Sequence, residues 1–204
     1  MICFNSGCSF TTPGSQIKQE DMYCYLLSKD LGCEQFINES RPGSSNDLII
    51  RRVYKHVLEN QNTDTFYIVN LTSLNRIELE QSKSDKLQEI LTPEAVSRYD
   101  FETGELTAYS QIVGLVHFLN QHNKNFYIIN NSKSFTEGAW APRDAFIKFV
   151  KNEKRILNLY HWSKYEFHKD YSKIKPHDYN LYGWAGHDGP EGHYTYYSKL
   201  KTLV

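Results

Sequence analysis

No stretch of the 204-residue chain approaches the roughly 18 consecutive apolar residues of a membrane-spanning helix. A charge excess of either sign is also missing: 23 Lys and Arg face 24 Asp and Glu, for a formal net charge of −1. That removes the basic footprint expected of a DNA- or RNA-binding surface, and local pairs such as Arg51-Arg52 read as solvated helix faces. Cysteine is sparse, at positions 3, 8, 24 and 33, without the paired C-x-x-C spacing of a structural zinc site. His161, His168 and His177 lack the His-x-x-x-His spacing of a helical metal site, so no metal is predicted. A strand-like run opens the sequence, so no secretory leader is expected. The expectation is a soluble, cytoplasmic protein with reduced thiols. Internal repeats and linker-like boundaries are missing too, which favours one domain over residues 1–204.

The chain does have globular proportions, with 40% hydrophobic and 23% charged residues. Aromatics reach 14%, led by fifteen tyrosines, which suits strands. Strand-like runs alternate with helical patterns. "MICF" opens the chain, followed by Tyr23, Leu26, Leu27 and Leu31 at helical spacing, stopped by Gly32. "EQFIN" is a second short strand. Ser45 or Asn46 then caps a helix through Leu48, Ile49, Val53 and Val57. "TFYIVNL" (65–71) is almost uninterrupted in its apolarity, as a parallel strand covered on both faces requires.

Residues 74–106 are polar and weakly patterned and read as an insertion with short helices. An amphipathic helix follows through Tyr109, Ile112, Val113, Val116 and Leu119, then the strand "NFYIIN" (125–130). The segment 131–182 is irregular in composition, with a helix expected from Asp144 to Leu157. A closing helix is expected from Glu191 to Leu200. This order predicts a three-layer α/β/α fold with a central, mainly parallel sheet of flavodoxin-like type.

In such sheets ligands collect at the carboxyl ends of the strands. The loops there are "NSGCS", "NESRPGSSND", "NLTSLNR" and "NNSKS", and near the end of the chain stands "GWAGHDGPEGHYTYY" (183–197). Gly7-Cys8-Ser9 after the first strand, Gly43 in "RPGSSND" and His187 in "HDGPEGH" together resemble the SGNH (GDSL-type) hydrolases, in particular the compact members of bacteriophage genomes. The resemblance covers the order of elements along the whole chain. It is strongest at 5–12, 40–52 and 186–197.

That resemblance implies a virus-encoded esterase expressed in a host cell. Ser9 would be the nucleophile, His187 the general base, and the Gly43 N–H an oxyanion donor. The chemistry is consistent: a serine hydroxyl is a poor nucleophile at neutral pH and needs a neighbouring base. Histidine suits that task because its ordinary pKa of about 6.5 lies near working pH. Each donor aimed at the oxyanion is worth about 3–4 kcal/mol. The chain departs from the family in two places. The Asp usually found three residues before the histidine is Trp184, leaving Asp188 or Asp178 to orient the ring, or a Ser-His dyad. The family's oxyanion asparagine is replaced by Thr72, with Asn70 as the fallback donor. Arg76 could bind an anionic part of a substrate.

The substrate expected is a small acyl ester, such as an O-acetylated sugar, with no cofactor, no nucleic acid and no membrane partner. Cys8 is an alternative nucleophile. Two other functions stay open: an SGNH-fold binding protein for a nucleotide, sugar or protein partner, and a phosphodiesterase.

Overall fold

The computed structural model describes residues 1–13, 17–72, 101–130, 141–158 and 190–204. Among these residues five strands form the sheet: β1 (Ile2–Ser6), β2 (Gln35–Asn38), β3 (Thr65–Leu71), β4 (Asn125–Asn130) and β5 (Ile156–Asn158). All pair in parallel, in the order β2-β1-β3-β4-β5. The helices are α1 (Tyr23–Asp30), α2 (Asn46–Glu59), α3 (Phe101–Gln121), α4 (Ala141–Asn152) and α5 (Pro190–Leu200). The flavodoxin-like three-layer expectation therefore holds.

Alternation along the strands builds two cores. Phe4, Tyr67, Val69, Leu71, Phe126 and Ile128 face Ile49, Val53 and Val57 of α2, Ile112 and Leu115 of α3, and Val150 of α4. Cys3, Phe66, Ile68 and Ile129 point the other way, against Cys24 and Leu27 of α1 and Leu200 of α5. β3 is buried at all seven positions, because both its faces are covered.

Local signals set the helix ends. Gly32 leaves α1 at φ +73°, with its N–H donating to Lys29 O (3.0 Å) and the Cys33 N–H to Ser28 O (2.9 Å). That is the Schellman pattern, which a glycine adopts without a Cβ penalty. Ser45, not Asn46, caps α2: its Oγ accepts from the Leu48 N–H at 3.2 Å.

One sequence expectation needs correction. The helix expected from Asp144 to Leu157 ends at Asn152, and Ile156–Asn158 form β5 instead. Arg155 turns the chain there: it pairs with Glu153 (Nε to Oε1 2.7 Å), lies over the Phe126 ring, and accepts from Ile128 N–H at 2.8 Å. Ile156 and Leu157 then enter opposite cores, as strand neighbours do. Helix α3 is described from Phe101, within the stretch 74–106 expected to be an insertion with short helices; residues 73–100 lie outside the described ones.

At the opposite edge of the sheet from the strand exits, Lys124 is 7% exposed, and its Nζ donates to the carbonyls of Gln61 (2.8 Å), Thr63 (2.9 Å) and Asn60 (3.4 Å). One ammonium thus ties the α2–β3 loop to the start of β4. Lys124→Met keeps the stem's bulk but removes the donor these part-buried carbonyls share. It is expected to cost about 1–2 kcal/mol, read as a lowered urea midpoint at unchanged slope.

Candidate active site

The strand order reverses between β1 and β3, so a crevice opens beyond their carboxyl ends. The loop after β1 enters it. Cys8 is extended, and Ser9–Thr11 form one short 3-10 turn, held by Thr11 N–H and Thr12 Oγ1 donating to Cys8 O at 3.0 and 2.9 Å. Ser9 is half-buried, and its hydroxyl makes no hydrogen bond among the described residues. Cys8 is 1% exposed and packs in the core with Phe4 and Ile49. Its sulfur has no path to a substrate, which argues against Cys8 as the nucleophile. The other three cysteines are free and buried as well, and burial pushes the Cys24 thiol up to about 12 and raises those of Cys3 and Cys33. Such thiols stay neutral and inert.

Three strand exits meet at Gly7. Its carbonyl accepts from the Arg41 N–H (3.2 Å), beyond β2. A Cβ placed on Gly7 would lie 2.1 Å from Thr11 Oγ1, 3.0 Å from Asn70 Cβ and 3.2 Å from Ser40 Oγ. Glycine is needed here for space, not for backbone conformation. Gly43 is the reverse case: it is exposed, at φ +79°, with open space around a notional Cβ. Its N–H has no partner among the described residues, so it is both a turn glycine and a free donor.

Beneath these loops lies a buried polar network. Asn5 Nδ2 donates to Asn38 Oδ1 (2.9 Å) and Ser40 Oγ (2.8 Å), and Asn70 Nδ2 donates to Asn5 Oδ1 (2.7 Å). Tyr23 OH donates to Asn70 Oδ1, Asn38 Nδ2 to Thr11 O (2.9 Å), and Thr11 Oγ1 to Ser40 Oγ (2.9 Å). From α5, His193 stacks on Tyr23 and accepts its N–H through Nδ1 at 3.4 Å. His193 is thus a buried packing residue. Buried amides satisfied in this way fix one arrangement of the backbone, and here they lock the Gly7–Thr11 loop to β2 and β3.

Asn70, 1% exposed, has its oxygen and one amide hydrogen engaged in that network. Thr72, just beyond β3, is 4% exposed. Its backbone N–H and O are both bound by the Asn46 side chain (2.8 and 3.1 Å), and its hydroxyl is unpaired among the described residues. Arg76, Asp178, Trp184, His187 and Asp188 lie outside the described residues.

Asn5, Asn38 and Ser40 carry no sequence motif, and the sequence marks Tyr23 only as a helix position and Asn46 only as a possible cap. A signal was available: every strand carries an asparagine at its carboxyl end or one residue before it, at 5, 38, 70, 130 and 158. Asparagine is disfavoured within strands, so its recurrence there marks an edge with a polar task. Among the described residues no group of His, Cys, Asp and Glu could hold a metal ion, and no helix is long and apolar enough to cross a membrane.

The chain has the fold of the SGNH (GDSL-type) hydrolases. It is similar to an acetyl xylan esterase, AlAXEase (13% identity, TM-score 0.56, all of both chains covered). It is also similar to a member of the lipolytic G-D-S-L family from Veillonella parvula DSM 2008 (13%, 0.53, 100% of this chain and 96% of that one). A third similar structure is the psychrotrophic esterase EstA from Pseudoalteromonas sp. (10%, 0.53, 99% and 95%). No family model and no curated protein matches the sequence.

Proposed function

We propose that the chain is a serine ester hydrolase with Ser9 as nucleophile and His187 as general base. The observation that carries this reading is the Ser9 hydroxyl, half-buried and unpaired among the described residues, on a loop locked at the switch point of the sheet. In the first step Ser9 Oγ bonds to the acyl carbon while His187 takes the hydroxyl proton. The carbonyl oxygen becomes an oxyanion, received by the N–H groups of Ser9 and Gly43 and by the Thr72 hydroxyl. The C–O bond to the alcohol then breaks, and the alcohol departs with the proton from His187. Water deacylates Ser9 by the same route, and the carboxylic acid is released.

Of the two side-chain donors named from the sequence, Thr72 is preferred, because its hydroxyl has no partner among the described residues and the Asn70 amide is largely committed. Asp188 or Asp178 would orient His187, and Arg76 would meet an anionic substrate group. The acyl group is proposed to be small. The similarity to an acetyl xylan esterase supports an O-acetylated sugar as the first substrate to try.

The test is labelling with a fluorophosphonate, followed by peptide mapping. Stoichiometric phosphonylation at Ser9, together with hydrolysis of p-nitrophenyl acetate, is the expected outcome. Labelling elsewhere, or none, would move the chain to the binding-protein reading. Ser9-dependent cleavage of p-nitrophenyl phosphodiesters but not of acyl esters would make it a phosphodiesterase.

A further inference from the structure

We infer that Asn46 is a positioning residue that sets the oxyanion hole by holding Thr72 against the first turn of α2; the inference rests on the hydrolase reading above. Asn46 is 5% exposed, at the first position of α2. A buried asparagine there would ordinarily be explained as a helix cap. That task is already done, since Ser45 Oγ accepts from the Leu48 N–H. The Asn46 amide is spent elsewhere. Its Oδ1 accepts from the Thr72 N–H at 2.8 Å and its Nδ2 donates to the Thr72 carbonyl at 3.1 Å. The pair reproduces one rung of a strand ladder one residue beyond the end of β3.

The consequence is geometric. Both backbone polar groups of Thr72 are engaged by Asn46, and its hydroxyl, on a residue 4% exposed, is the polar group without a partner among the described residues. Gly43, the other proposed donor, lies three residues before Asn46 in the turn closed by Ser44 N–H and Oγ donating to Arg41 O (3.3 and 2.9 Å). One side chain therefore ties the exit of β3 to the turn that carries Gly43. A threonine hydroxyl is shorter than the asparagine amide that SGNH enzymes usually place here. Its backbone has to be held closely for the oxygen to reach the oxyanion.

The experiment is a double-mutant cycle between Asn46→Ala and Thr72→Val, assayed on p-nitrophenyl acetate at a temperature where urea melts show every variant folded. Asn46→Ala is expected to lower kcat by about 10- to 100-fold with KM within about twofold. On the Thr72→Val background the same change should cost less than about threefold, because the hydroxyl it positions is gone. Asn46→Asp, nearly isosteric, keeps the acceptor for the Thr72 N–H and loses the donor. It should fall between wild type and Asn46→Ala, and it carries the test should the alanine variant not fold. Equal losses on both backgrounds, or a loss confined to KM or to stability, would overturn the positioning role. The hydrolase reading fails separately: there the wild type itself shows no turnover beyond that of Ser9→Ala, and the positioning role falls with it.

Discussion

Replacing Ser9 with alanine is expected to lower kcat/KM on p-nitrophenyl acetate by roughly 10³-fold or more while leaving the urea midpoint unchanged. The two halves of that expectation come from one observation. Ser9 Oγ has no hydrogen-bond partner among the described residues, so its removal leaves no buried group orphaned. The 3-10 turn around it is held by Thr11 and Thr12 onto Cys8 O, and both survive the substitution. A serine retained only to shape the turn would give the opposite pattern, a loss of stability with no loss of turnover. His187→Ala should produce a comparable loss, and the double variant should be no slower than either single one, since nucleophile and base act as a unit. Full activity in Ser9→Ala would sink the assignment. A multiplicative loss in the double variant would separate His187 from Ser9 and leave the base to be found elsewhere.

The sheet was legible because its central strands carry an undiluted signal. "TFYIVNL" and "NFYIIN" coincide with β3 and β4 at both ends, since burial on both faces demands apolar side chains at nearly every position. β5 was not legible. Three residues, Ile156–Asn158, are too few to show a period, and they follow a helix without a glycine or proline to mark the break. The turn comes from Arg155 reaching Glu153 and Asn120, and Asn120 is distant in sequence.

Ser9 and Gly43 stood out through short motifs at strand ends, and the structure places both at the same edge of the sheet. The supporting amides were harder to read, because each forms part of a site only with a partner far along the chain: Asn5 with Asn70, Thr11 with Ser40, Asn46 with Thr72. Asn46 looked like a cap because the local sequence offers two capping residues side by side, and only the packed structure shows which one the helix uses. Reading Thr72 as a replacement for asparagine was possible from the resemblance to the SGNH hydrolases. Its dependence on Asn46 was not.

The largest effect on stability is expected at Gly7. Gly7→Ala should destabilise the fold by about 3 kcal/mol, toward the upper end of overpacking costs, seen as a lowered urea midpoint. The added Cβ would stand 2.1 Å from Thr11 Oγ1, far inside contact distance. Rotating Thr11 would relieve that clash but would break its hydrogen bonds to Ser40 Oγ and Cys8 O. It would also leave Asn70 Cβ at 3.0 Å, an atom fixed by β3 and unable to swing away. Thr11→Ala on the Gly7→Ala background should therefore recover part of the loss and not all of it. Gly43→Ala is the control. That site has φ +79° and no atom within 4 Å of a notional Cβ, so only the left-handed backbone penalty applies, about 1–2 kcal/mol. A Gly7→Ala cost no larger than that of Gly43→Ala would mean that the three strand exits do not close on Gly7 as tightly as the structure places them. The locked loop that aims Ser9 would then lose its physical basis.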